Sequence, residues 1–216
     1  MSRIISCDPA RPDRTVVAEI ARALAGRKAV VLPTETQYGL AVAVDERTRE
    51  TICRIKRRAQ DLKTALFVKD MEMTARFCVI STMARYLAER FLPGPLTMVM
   101  PLIPGQTIIP DDLASEAGVG VRLSSSPLVA AVVRELNNPI TATSANLSGQ
   151  LTPETVEEIV AMLGEQVDLY VDGGPCRSIV PSTVAQVGER VTILRPGVIP
   201  ETEIRRALME YARWDG

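Results

Sequence analysis

Ala29-Val30-Val31-Leu32-Pro33-Thr34-Glu35-Thr36-Gln37-Tyr38-Gly39-Leu40 runs from an apolar block into a cluster of hydroxyls and back to an apolar residue. Ala29 to Leu32 reads as a buried strand, ended by Pro33, which has no amide hydrogen for a sheet ladder. Upstream, Val16 to Ala25 has helical spacing and is closed by Gly26, so helix then strand is the opening unit. Downstream, Leu40 to Val44 alternates weakly as a second strand. The hydroxyls of Thr34 and Thr36 stand where packing alone does not ask for them. Thr141-Ala142-Thr143-Ser144-Ala145-Asn146-Leu147-Ser148-Gly149 and Pro181-Ser182-Thr183-Val184 repeat the arrangement. The three segments read as walls of one polar site. Hydroxyls and backbone amides held at strand ends bind oxyanions without a metal cage or a reactive nucleophile.

Working outward, Asp45 is the expected N-cap of a helix from Glu46 to about Arg58, with a strongly cationic last turn. Ala65 to Val68 is strand-like, and helical stretches follow around Met71 to Phe77 and Met83 to Phe91. Pro93-Gly94-Pro95 breaks the second of these before a strand from Leu96 to Leu102. Val119 to Leu123 predicts a strand, Pro127 to Leu136 a helix with proline in its first turn, and Pro139 to Thr143 a strand entering the Ser-Ala-Asn loop. Thr152-Pro153-Glu154-Thr155 is read as a helix start, with Thr152 as N-cap, leading into Val156 to Leu163. Val167 to Val171, Thr183 to Val187 and Val191 to Leu194 close the sheet, the last two as a hairpin around Gly188, and a helix from Glu201 to Tyr211 follows. Helices and strands alternate irregularly. This predicts one α/β (α+β) domain with a mixed sheet, and there is neither a G-x-G-x-x-G nor a G-x-x-x-x-G-K-[ST] loop.

The chain has 216 residues and no histidine, which removes every His-based triad, dyad or general base. Catalysis then rests on positioning, electrostatics and carboxylates. The four cysteines are scattered without a C-x-x-C pair, so no zinc site and no metal ligand set is expected, and Cys53 and Cys78 read as buried thiols. No apolar run approaches the roughly 20 residues of a membrane span, and no secretory leader is apparent, so a cytoplasmic protein is the expectation. Net charge is −1, from 25 basic and 26 acidic residues, so any anion site must be local. Arg54-Ile55-Lys56-Arg57-Arg58-Ala59-Gln60-Asp61-Leu62-Lys63 carries five cations against one acid. Composition alone favours cations that suit a helix C-terminus and face water.

Eight motifs in order carry a resemblance: P-T-E-T-x-Y-G-L at 33 to 40, K-x-R at 56 to 58, P-G-P-L-T at 93 to 97, V-G-V-R at 119 to 122, S-A-N-x-S-G at 144 to 149, D-G-G at 172 to 174, S-T-V at 182 to 184 and L-R-P-G at 194 to 197. The chain resembles the YrdC-like family, the threonylcarbamoyl-adenylate synthases, over residues 14 to 208, leaving 1–13 and 209–216 as terminal segments. The resemblance implies a twisted mixed sheet flanked by helices, with a concave, positively lined cavity. It implies an enzyme that joins L-threonine, bicarbonate and ATP into threonylcarbamoyl-adenylate and pyrophosphate, toward threonylcarbamoyladenosine at position 37 of tRNA. ATP would come with Mg²⁺ held by phosphate oxygens and water, and tRNA-modification proteins would be the partners.

By the same resemblance, Lys56 and Arg58 sit on the phosphates and are the catalytic pair. Ser144, Asn146, Thr152 and Arg195 complete the ATP site, Asn146 by shaping the loop that presents Ser144. Arg122 pairs with the threonine carboxylate, and Thr34, Lys63, Thr143 and Ser182 complete the amino-acid pocket. Taken one at a time, Thr34 and Thr36 also suit a turn after Pro33, Ser182 an exposed hydroxyl, and Thr152 a simple cap. Arg122 differs, because an arginine turned inward from a β-run needs an anionic partner.

The chain departs from the family pattern at Ala59, where proline usually follows K-x-R, at Leu62-Lys63-Thr64-Ala65-Leu66, and at Ser124-Ser125-Ser126-Pro127, where one proline is missing. Such departures resemble the YciO-type branch. The end of the chain soon after L-R-P-G suggests the single-domain form. A different class of reading is a double-stranded RNA or tRNA-binding module on Arg54 to Lys63. The balanced charge and the three Phe, four Tyr and one Trp, which leave few stacking platforms, speak against more than weak RNA contact.

Overall fold

The computed structural model describes residues 2–58, 63–176 and 180–214. In chain order these form Arg3–Ser6 (β1), Arg14–Ala25 (α1), Val30–Pro33 (β2), Tyr38–Ala41 (β3), Thr48–Lys56 (α2), Ala65–Phe67 (β4), Met71–Thr74 (α3), Thr82–Phe91 (α4), Leu96–Met100 (β5), Val119–Arg122 (β6), Pro127–Leu136 (α5), Ile140–Ser144 (β7), Val156–Leu163 (α6), Leu169–Asp172 (β8), Thr183–Val187 (β9), Val191–Arg195 (β10) and Glu201–Trp214 (α7).

All ten strands join one mixed sheet in the order β1-β8-β2-β3-β7-β4-β6-β5-β9-β10. β2 is buried along its whole length because both its faces are covered. Val30 and Leu32 enter the larger core with Ile20 and Leu24 of α1 and Val129 and Val133 of α5. Val31 enters a second core with Ile52 and Ile55 of α2 and Ile159 and Leu163 of α6. The period-two alternation of a strand therefore sends neighbouring residues into different cores. β2 and β3 pair antiparallel across the Thr34–Gln37 turn, with Leu32 opposite Gly39. β9 and β10 form the hairpin expected around Gly188.

Three readings are corrected. The helix expected from Glu46 begins at Thr48, and Asp45 does not cap it: its carboxylate accepts from the Arg47 amide at 2.8 Å and so closes the preceding turn. α6 begins at Val156, not after Thr152. Thr155 is its N-cap, accepting from the Glu158 amide at 3.4 Å, and Pro153 and Glu154 lie before the first turn. Residues 3–6, for which no element is expected, pair parallel with β8 as an edge strand. Ala59, Asp61 and Leu62, which figure in the basic run and in the family departures, lie outside the described residues.

Candidate active site

On the strands β4, β6, β5 and β9, one set of alternate residues packs into the larger core: Leu66, Val121, Met98 and Ala185. The other set, Ala65, Gly120, Thr97 and Val184, floors a cavity of about 550 Å³. Its floor stays open because the residues are small. A Cβ on Gly120 would stand 3.1 Å from the Ala65 Cβ and 3.2 Å from Thr97 Cγ2. The walls come from the ends of strands and the loops beyond them: the Thr34–Tyr38 turn, the Ser144–Gly149 loop, Pro181–Ser182 and Arg195. Lys56, Arg58, Lys63, Arg122 and Arg195 line this space, and among the described residues no carboxylate does. A cavity with that lining selects anions.

Lys56 and Arg58 reach it through the end of α2. Arg57 takes a left-handed conformation, φ 48° and ψ 47°, which reverses the chain. Arg54 and Arg57 face water, whereas Lys56 is only 3% exposed and Arg58 is half-buried. The run is therefore not one solvated face. Lys56 Nζ donates to the Ser144 carbonyl and, at 2.9 Å, to Asn146 Oδ1. Burial, and then the charge of Arg58, press its pKa down from 10.5 to about 7. Asn146 is fully used: its Oδ1 also accepts from Ser144 Oγ at 2.5 Å, and its Nδ2 donates to the Leu147 and Gln150 carbonyls. Asn146 thus fixes both the loop and the lysine. Arg58 Nη2 donates to Thr64 Oγ1 at 2.6 Å, and Lys63 Nζ to the Asp112 carbonyl at 3.2 Å.

Arg122, 5% exposed, turns inward and meets the anionic partner its position demands, and that partner belongs to the chain. Its Nη2 lies 2.8 Å from Glu35 Oε1 and donates to Thr36 Oγ1 at 3.2 Å, while Nε donates to the Gly94 carbonyl at 3.2 Å. The guanidinium lies over the Phe67 ring, 5.6 Å from its centre. Burial pulls its pKa down and Glu35 opposes that pull. Glu35 is anchored in turn, accepting from Ser124 Oγ and from the Ser125 amide at 3.1 Å. Thr34 Oγ1 folds the turn, donating to the Gln37 carbonyl at 2.6 Å and accepting from the Thr36 amide at 3.1 Å. Its turn-forming and cavity-lining readings therefore coexist.

Ser182, 5% exposed, shares a hydrogen bond of 2.9 Å with Thr97 and is not the exposed hydroxyl that its neighbour Pro181 suggests. Arg195 Nη2 donates to the Ser182 carbonyl at 3.0 Å and to its Oγ at 3.2 Å. Partial burial, then the positive charge of Arg122, hold the Arg195 pKa below the ordinary arginine range. Arg195 is thus beside Ser182 and near Arg122, at the end read as the amino-acid pocket.

The cavity brings together Lys56, Arg58, Lys63, Ser144, Asn146, Arg195, Thr34, Arg122, Thr143 and Ser182. Thr152 does not line it, and among the described residues it meets the site through Gln37 Oε1 at 3.5 Å. Glu35, Thr97 and Tyr38 escaped the sequence reading as functional residues. Tyr38 is wholly buried, and its hydroxyl donates to the Gly174 carbonyl at 2.7 Å and accepts from the Gly173 amide at 3.0 Å. It ties the D-G-G loop to the Thr34 turn, and burial pushes it up to about 12. The one available signal for Glu35 was the need of Arg122 for a counter-charge, which names no partner among 26 acids.

The family described as Sua5_yciO_yrdC, telomere recombination, matches residues 22–197. A candidate threonylcarbamoyl-AMP synthase of Methanocaldococcus jannaschii is 34% identical over 83% of this chain and 84% of its own length. The threonylcarbamoyl-AMP synthase of Bacillus subtilis is 33% identical over 89% of this chain, which spans 56% of that longer protein. The crystal structure of Pyrococcus abyssi Sua5 complexed with L-threonine is similar with a TM-score of 0.88 at 29% identity, over 95% of this chain and 61% of that one. Escherichia coli YciO gives 0.81 at 26% identity, over 92% and 97%.

Proposed function

The chain belongs to the Sua5, YciO and YrdC family, and from that premise we propose that it is an L-threonylcarbamoyladenylate synthase, a nucleotidyltransferase that forms threonylcarbamoyl-AMP and pyrophosphate from L-threonine, bicarbonate and ATP. The observation that carries this reading is the cavity lining: five cations and a ring of hydroxyls, with no carboxylate among the described lining residues. The reaction needs a carbamate oxygen held in line with the α-phosphate and countercharge for the departing pyrophosphate, and no protein nucleophile. A histidine-free site of this kind is suited to it.

Lys56 and Arg58 supply countercharge to the phosphates, with Ser144 and its loop alongside, and Lys63 belongs with Thr34 to the amino-acid pocket. Arg122 takes the threonine carboxylate on Nη1, the guanidinium nitrogen that carries no hydrogen bond among the described residues. Ser182, Thr97 and Arg195 stand beside Arg122 at that end, and Thr143 lines the same cavity. ATP enters as its magnesium complex. Its ion is carried by phosphate oxygens and water. The product feeds tRNA threonylcarbamoyladenosine formation through downstream partner proteins. No helix among the described residues is long and apolar enough to cross a membrane.

Incubation of the pure protein with ATP, Mg²⁺, bicarbonate and L-threonine tests the proposal. Threonine-dependent release of pyrophosphate with formation of the adenylate is expected. ATP binding without either product would leave a drifted, YciO-like relative.

A further inference from the structure

Of the five cations that line the cavity, one is already matched by a carboxylate. Glu35 Oε1 stands 2.8 Å from Arg122 Nη2, and the Glu35 side chain is only 14% exposed. It does not itself line the cavity, so it acts there through Arg122. It is held from behind by Ser124 Oγ and the Ser125 amide, which stops it from swinging away. Lys56, Lys63 and Arg195 line the same space, and among the described residues their nitrogens donate to carbonyls, a hydroxyl and an amide oxygen.

The matched cation stands beside a second guanidinium and two hydroxyls. Arg195 is close enough to Arg122 for their charges to interact, and the Ser182 and Thr97 hydroxyls lie beside it. Two guanidiniums and two hydroxyls on one wall make a strong phosphate trap. With Glu35 in place, Arg122 and its partner sum to zero charge. Of the Arg122 nitrogens, Nε and Nη2 are engaged by the protein, and among the described residues Nη1 has no partner. A single carboxylate can take that one nitrogen. A triphosphate meets the negative field of Glu35 with several charges at once, and is repelled in proportion.

We propose that Glu35 is a specificity-determining positioning residue, which reserves the Arg122 end of the cavity for a singly charged carboxylate and keeps polyphosphate from occupying it. The proposal rests on the synthase reading for its physiological meaning, since that reaction needs an amino acid and a triphosphate side by side in one cationic cavity. Its physical content concerns binding alone.

Calorimetric titration of L-threonine into the whole protein, with and without saturating tripolyphosphate, reads it directly. In the wild type the threonine Kd should change less than about twofold on adding tripolyphosphate. In Glu35→Gln, tripolyphosphate should compete, raising the apparent threonine Kd roughly tenfold or more, a difference well outside the error of the method. Glu35→Asp keeps the charge and should keep the ligands independent, even where its shorter arm weakens threonine binding. A merely structural glutamate predicts loss of threonine affinity in both variants with no new competition, and that result overturns the proposal, as does competition in the wild type. If thermal melting shows Glu35→Gln unfolded, the wild-type and Glu35→Asp titrations decide, and competition in either refutes it. A wild type that binds both ligands independently but forms no adenylate defeats the synthase reading alone. Turnover in a Glu35→Gln enzyme without competition defeats the role of Glu35 alone.

Discussion

Burial brings the Lys56 amine to a pKa of about 7, so near neutral pH it is shared between its charged and uncharged forms. A neutral amine has two N–H groups, and Lys56 Nζ meets two acceptors, the Ser144 carbonyl and Asn146 Oδ1, leaving one tetrahedral position unused by them. Without ligand, the depressed pKa means that between about 7 and 10.5 the unfolded chain binds the extra proton and the folded chain does not. Stability should therefore rise with pH across that window and fall as pH drops toward 7, and Lys56→Met should flatten the slope in urea denaturation. A bound polyphosphate favours the charged form, so binding should draw a proton onto Lys56 above pH 7 and weaken as pH rises. Calorimetry in buffers of different ionisation heat reads that uptake. The ligand's own titration is common to wild type and Lys56→Arg, so their difference isolates the lysine. Equal uptake in both would remove Lys56 from the phosphate end.

At the scale of elements, sequence spacing located most helices and strands but not how each helix starts. Thr152-Pro153-Glu154 has the composition of a helix start, yet Thr155 supplies the cap. The reason is tertiary: Thr152 is drawn to Gln37, and the Cys176 amide donates to the Glu154 carbonyl at 2.8 Å, so the chain has not yet entered the helix there. Thr155→Ala should cost about 1 kcal/mol in urea denaturation and Thr152→Ala less than about 0.5 kcal/mol. The reverse order would restore Thr152 as the cap. The closing hairpin depends on a different constraint. A Cβ on Gly197 would lie 2.3 Å from the Pro181 carbonyl and 2.4 Å from the Ser182 and Thr183 backbone. Gly197→Ala should therefore destabilise by about 2 kcal/mol or more, and should weaken ligand binding with it, because the segment it displaces, Pro181 to Thr183, includes Ser182. A stable Gly197→Ala with unaltered ligand affinity would show that the hairpin and the cavity wall move independently.

Over the whole molecule, a net charge of −1 coexists with a cavity walled by five cations, so the positive field is enclosed rather than spread over a surface. Of the basic run, Arg54, Arg57 and Lys63 are exposed while Lys56 is buried, which leaves few phosphate contacts for a duplex. Duplex RNA should bind no tighter than about micromolar near physiological salt, where screening acts over about 8 Å, while ATP keeps its affinity. Filter binding across a salt series measures it, and nanomolar binding that resists salt would favour the RNA-binding alternative. The amino-acid order by itself determined the mixed α/β class, the absence of histidine chemistry, and the strand-end hydroxyl clusters that converge on one site, because these depend on local periodicity and composition. It also stated the demand of an inward Arg122 for an anion. Only the tertiary structure decided that Glu35 meets the demand, that Lys56 is buried while Arg54 and Arg57 face water, that Arg195 stands by Ser182, and that Thr152 stays out of the cavity. Counter-charge and desolvation are properties of neighbours in space, and Glu35 and Arg122 are brought together only when the strands before and after them take their places in the sheet.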